Sequence, residues 1–186
     1  MALFTHGTTF EGLKAILSGA GKSELANPWT VCDNDGQMYF YAVDKALDEW
    51  DTVEDALASC QRASMENARM QAAFTGKPTD VYVLTCEIDS DLLDDDYSCE
   101  NMGGVASQMA CHDFDIGSII SVHKLELSIW DYPTILACLT ENELFNWNEV
   151  DSRLVELAKN ISDFDSLYEH ELEEISKEEL ASLNLI

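Results

Sequence analysis

Apolar positions near the start of the chain change from strand-like to helical spacing. The stretch "ALFTH" reads as a short strand, after which Phe10, Leu13 and Leu17 recur at helical intervals. Thr8 and Glu11 stand at capping-box distance, so Thr8 is expected to accept from the first orphan amides and Glu11 to bond back. His6 and Gly7 would then end the strand and turn into the helix. Gly19 and Gly21 follow that helix, where glycine usually terminates one. Gly21, Lys22 and Ser23 imitate the end of a phosphate-binding loop, G-x-x-x-x-G-K-[ST], but the first glycine would fall on Ile16. Such a loop also precedes its helix, so the match fails.

Further along, Asn27-Pro28 and Asp33-Asn34-Asp35-Gly36 are turn signals. "QMYFYAV" is a strand by its aromatic content, with Tyr39 and Tyr41 alternating to one face and Phe40 to the other. Asp44 is expected to cap a helix, and "KALDEW" with "TVEDALASCQRASMENARMQAAF" forms one bent helix or two consecutive ones, stopped by Gly76 and Pro78. "DVYVLTCEI" is apolar on both faces apart from Thr85 and Glu87, the pattern of a central strand. "DSDLLDDDYSCENMGG" reads as an acidic surface loop and "IGSIISVHKLELSIW" as a long final strand. From Asp131 onward no strand pattern remains, and amphipathic helices are expected at "TILACLTENELF", "VDSRLVELAKNI" and "SKEELASLNL". In the last of these Ser176 and Glu179 repeat the capping-box spacing. The composition shift divides the chain into a core domain, 1–130, and an acidic helical extension, 131–186.

Charge narrows the function classes. The 186 residues carry 36 acids against 10 bases, a formal net charge of −26. Such a field repels phosphate backbones, so nucleic-acid binding is disfavoured, whereas a basic partner protein is attracted; solubility is the plainer use of the same charge. The absence of a leader and of any bilayer-length apolar run predicts a cytoplasmic protein without a membrane role. The six cysteines include no C-x-x-C pair and read as reduced thiols, with no zinc site or disulfide framework.

Three stretches in this order carry a family resemblance: "THGTT", "GQMYFYAVDKALDEW" and "SQMACHDFDIGSIISVHKL". They resemble the ADP-ribosyltransferase fold in its diphtheria-toxin and poly(ADP-ribose) polymerase branch. The first is similar to the H-G-[ST] ending that family's first strand. The second resembles G-x-G-[IV]-Y-F-A-[DS] leading into a helix with an aromatic residue facing the pocket, and the third resembles E-[YF]-x-[VI]-x-[DN] leading into a terminal strand. The resemblance covers about the first 130 residues. It implies an α+β fold with a split β-sheet core, peripheral helices and a helical C-terminal appendage.

The same resemblance implies NAD as substrate. In the family the histidine corresponding to His6 bonds an adenosine-ribose hydroxyl, and the glycine corresponding to Gly7 lets main-chain atoms approach the nicotinamide amide. Tyr39 would stack on one face of the nicotinamide and Trp50 would close the other, with Thr8 a further ligand contact. Each residue also has an ordinary structural use: a strand end for His6, a helix cap for Thr8, core packing for one of the aromatics 39–41, and helix packing for Trp50. The departure lies at the catalytic glutamate, where the best register, anchored by Asp113, places Gln108. Glutamine keeps a hydrogen bond but supplies no negative charge, and Glu100, Asp113 and Asp115 are the alternative acids.

Two functions are consistent with these features. One is an NAD-dependent mono-ADP-ribosyltransferase that modifies a protein target, of the kind a phage or bacterial effector would use. The other is a catalytically degenerate, transferase-like acidic protein that binds a basic partner as an inhibitor or nucleic-acid mimic. The missing glutamate favours the second, and the H-G-T and aromatic strand favour the first.

Overall fold

Alternating burial along a few short segments builds one sheet. The computed structural model describes residues 1–18, 38–74, 80–95, 108–111, 115–125 and 172–183. Within them lie strands β1 (Ala2–Thr9), β2 (Met38–Ala42), β3 (Val81–Ile88), β4 (Leu93–Asp95), β5 (Gln108–Cys111), β6 (Ile119–Leu125) and β7 (Glu173–Glu174). The helices are α1 (Phe10–Leu17), α2 (Val43–Ala46), α3 (Val53–Phe74) and α4 (Lys177–Ser182). The strands form a sheet ordered β4-β5-β2-β1-β3-β6-β7 with every neighbouring pair antiparallel. The architecture is α+β, as the sequence predicts. β3 lies inside the sheet between β1 and β6 and is buried except at Glu87.

The two faces of the sheet carry different packing. On one, Phe4, Phe40, Ala42, Tyr82, Leu84 and Val122 meet Leu13 and Ile16 of α1, together with Ile175 and Leu180 near the far end of the sequence. On the other, Tyr41 joins Val43, Ala46, Ala56 and Cys60 beneath α2 and α3. The expected alternation of Phe40 against Tyr41 is therefore observed. Helix α3 approaches the sheet closely because its buried stripe is small at every fourth position: Ala56, Cys60, Ser64, Ala68 and Ala72 are at most 2% exposed. Each step of four turns these residues by only about 40° on a 3.6-residue helix, so successive members are neighbours along a slowly winding ridge. The expected bent or double helix is two helices, α2 and α3, with Thr52 capping the second by accepting from the Asp55 amide at 3.0 Å.

Several boundaries differ from those the sequence predicts. β1 runs through His6 and Gly7 to Thr9, because all eight residues pair with β3, from Ala2 opposite Ile88 to Thr9 opposite Val81. The α1 cap is accordingly Thr9, which accepts from the Gly12 amide at 3.3 Å, and not Thr8. Thr8 is buried in the strand against Gly12, where an added Cβ would lie 2.0 Å from the Thr8 hydroxyl oxygen. Asp44 lies within the first turn of α2, whose cap position is Ala42. The stretch expected to be an acidic loop contains a 3₁₀ turn, Ser90–Leu92, and the short strand β4. The expected final strand is β6, entered through another 3₁₀ turn at Ile116–Ser118.

The largest correction concerns the C-terminal segment. A strand does occur beyond residue 131: β7 adds to the sheet edge, with Glu173 opposite Lys124 and Glu174 opposite His123. The opposite charges of Glu173 and Lys124, facing across the ladder, favour this pairing. Helix α4 then forms as expected, Ser176 accepting from the Glu179 amide at 3.1 Å, and buries Leu180 in the same core as Phe4. The final described segment thus packs against the sheet. The helices expected at "TILACLTENELF" and "VDSRLVELAKNI", the phosphate-loop imitation and the Gly76-Pro78 stop lie outside the described residues.

Candidate functional site

The strands that bear His6, Tyr39 and Gln108 are consecutive neighbours in the sheet, ordered β5-β2-β1. Tyr41 stands opposite both Thr5 of β1 and Gln108 of β5, and Tyr39 stands opposite Ala110. Residues widely separated in sequence are thereby assembled in one strip.

Within that strip β1 and β2 are joined over a short distance. Their ladder contains two pairs, Phe4–Ala42 and Thr5–Tyr41, whereas β1 and β3 pair over eight residues. Beyond Thr5 the link passes through a side chain: His6 Nδ1 lies 2.7 Å from the Tyr39 carbonyl oxygen. A carbonyl only accepts, so Nδ1 carries the proton and donates it, which leaves the lone pair on Nε2. The ring is part-buried and packs against Phe40 with centroids 5.3 Å apart. Burial lowers the His6 pKa below its ordinary value, opposed by the hydrogen bond to Tyr39. At neutral pH the imidazole is therefore uncharged, a hydrogen-bond acceptor at Nε2 held in a fixed tautomer.

The remaining candidates distribute as strand alternation requires. His6 follows Phe4 and precedes Thr8 on the face covered by α1. Gly7 belongs to the opposite face, under α3. The room Gly7 makes is occupied by the helix: a Cβ there would lie 1.7 Å from the main-chain oxygen of Ser64. The neighbouring Thr5 hydroxyl shares a 2.7 Å hydrogen bond with the Ser64 hydroxyl, both groups fully buried. Tyr39 is half-buried, and Trp50 lies in the turn between α2 and α3 with 44% of its surface exposed. The set is not gathered on one face of the sheet; His6 and Tyr39 meet through the ring-to-carbonyl bond.

Of the alternative acids, Asp115 is exposed and engaged in local structure, its carboxylate accepting from the Gly117 amide at 2.9 Å. Glu100 and Asp113 lie outside the described residues. Cys60 and Cys86 are buried free thiols, and burial together with the charge of Asp44 pushes the Cys60 pKa up to about 11, far from the thiolate a nucleophile needs. Among the described residues no three of His, Cys, Asp and Glu converge as metal ligands, and no helix is long and apolar enough to cross a membrane. Ser64 is the residue that sequence reasoning misses. Its signal is the four-residue recurrence of small side chains on α3, which marks a close helix-sheet approach without naming the glycine beneath it. Comparison of the chain with family models, with curated proteins and with solved structures finds no match.

Proposed function

We propose that the protein is a mono-ADP-ribosyltransferase that uses NAD to modify a protein target, built on a split-sheet core of the transferase type. The observation that carries this reading is the adjacency of β5, β2 and β1, the three strands on which the family resemblance rests. The short β1–β2 ladder and the ring-to-carbonyl link at His6 support it, since a dinucleotide held between two strands needs them to part. His6 Nε2, neutral and accepting, would receive a hydrogen bond from a ribose hydroxyl, and Tyr39 would supply an aromatic face to the nicotinamide. Gln108 would bond the nicotinamide-ribose hydroxyl without stabilising the positive charge that develops as the glycosidic bond breaks.

A second reading, an acidic interaction protein with a degenerate transferase core, is favoured by that missing carboxylate and by the net charge of −26. One set of measurements separates the two. Titration calorimetry with NAD should give heat that His6→Ala reduces, and labelled NAD with a lysate should yield free nicotinamide and a labelled band. Gln108→Glu should then raise NAD cleavage by about two to three decades, the rate equivalent of about 3–4 kcal/mol of electrostatic stabilisation. No heat and no thermal shift at millimolar NAD, identical in the parent and His6→Ala, would defeat the transferase reading. Binding without cleavage in any variant would favour the second.

A further inference from the structure

The corner joining α2 to α3 holds three exposed apolar side chains within seven residues: Leu47 (38% exposed), Trp50 (44%) and Val53 (52%). They are not loose. The Leu47 amide donates to the Val43 carbonyl, and the Glu49 and Trp50 amides both donate to the Ala46 carbonyl, at 3.0 and 3.2 Å. On the far side Thr52 caps α3, and its hydroxyl also donates to the Asp55 carboxylate at 2.6 Å. The core below is already filled by Val43, Ala46, Ala56 and Cys60, so these three side chains have no place in it. Trp50 is thus an ordered aromatic on the surface, the residue type that most often anchors an interface.

The surroundings specify the sign of a partner. Between Leu47 and Asp55 every residue is exposed, five of the nine are acidic (Asp48, Glu49, Asp51, Glu54 and Asp55) and none is basic. The strand registers extend this character along one end of the sheet. Ala2 pairs with Ile88, Phe4 with Ala42, and Cys86 with Ile119, so the start of β1, the end of β2, the end of β3 and the start of β6 share that end. Exposed Ile116 and Ile120 flank the start of β6 there, and exposed Glu87 and Asp89 lie at the end of β3. An acidic partner, a second copy of this chain or an anionic lipid surface would meet like charge.

We infer that the Leu47-Trp50-Val53 corner is a docking surface for a basic, amphipathic protein segment, whose apolar side chains cover the three exposed residues while its lysines and arginines meet the surrounding carboxylates. Trp50 also offers a ring face to an arginine guanidinium. This inference does not rest on the NAD site proposed above, and its test contains no NAD. The full chain is titrated by calorimetry with a synthetic lysine- and arginine-rich amphipathic helical peptide, and in parallel with an oligolysine of equal charge. The amphipathic peptide should bind about tenfold tighter or more, and Trp50→Ser with Val53→Ser should remove that margin while leaving oligolysine binding unchanged. Both side chains are half exposed, so the double variant should keep the parent thermal midpoint. Asp48→Asn with Glu49→Gln should weaken both peptides. Equal affinity of the two peptides for the parent, or an undiminished margin in the double variant, would overturn the inference. So would parent self-association in sedimentation that the double variant loses, since the occupant would then be a second copy.

Discussion

At Gly7 the identity of one residue is decided by an atom far away in sequence. The main-chain oxygen of Ser64 occupies the place a Cβ would need, at 1.7 Å. Gly7→Ala should therefore destabilise the protein by about 3 kcal/mol or more, measured by urea unfolding, because α3 must lift off β1. Trimming Ser64 to glycine should not rescue it, since the obstructing atom is main chain. Protonation gives a second expectation. His6 resists charging because it is buried, while in the unfolded chain it titrates near its ordinary value of about 6.5. The unfolded state then binds a proton that the folded state refuses, so stability should fall as pH drops below about 6.5. His123, lowered by burial against the opposing charge of Glu174, acts in the same direction. Cys60 acts at the other limit: its thiol ionises near 9.0 when unfolded and at about 11 when folded, so stability should be lost as pH rises from 9 through 11. Unfolding free energies measured across pH should show both limbs, the alkaline one reduced in Cys60→Ala. The cap of α1 shows the limit of reading single residues: Thr8 and Thr9 are equally able acceptors, and long-range pairing with Tyr82 and Val81 keeps both in the strand and leaves the cap to Thr9.

Elements with a full period of their own were legible, and those defined by a neighbour were not. β1, β2, β3 and α3 carry enough residues for alternation, aromatic content or helical spacing to show. β4 and β7 have three and two residues, too few for any period, and exist because β5 and β6 offer unpaired edges. Nothing in two consecutive glutamates announces a strand. The residues just after β7 nonetheless belong to the core, for Ile175 and Leu180 are 6% and 7% exposed against residues of β1, β2 and β3. Leu180→Ala should cost about 2–5 kcal/mol by chemical denaturation, the range for emptying a buried leucine site. An unchanged midpoint would show that α4 is a dispensable attachment.

For the whole molecule, the acidic balance was plain from composition, but its arrangement was not. Sheet order was not legible, because the adjacency of β5 with β2 depends on pairing across more than sixty residues. The exposure of Leu47, Trp50 and Val53 at the α2–α3 corner depends on how completely the underlying core is filled. Phe4 and Leu180 lie in one cluster, as do Ala2 at its margin and Ile175. On a ribosome that extends the chain by about 5–20 residues each second, the first strand must therefore wait many seconds for the last piece of its core. Until residue 180 clears the exit tunnel, the edge of β6 and the apolar face around Phe4 stand open to any other nascent chain nearby. The high density of like charge would then serve during synthesis, keeping unfinished copies apart until each can close on itself.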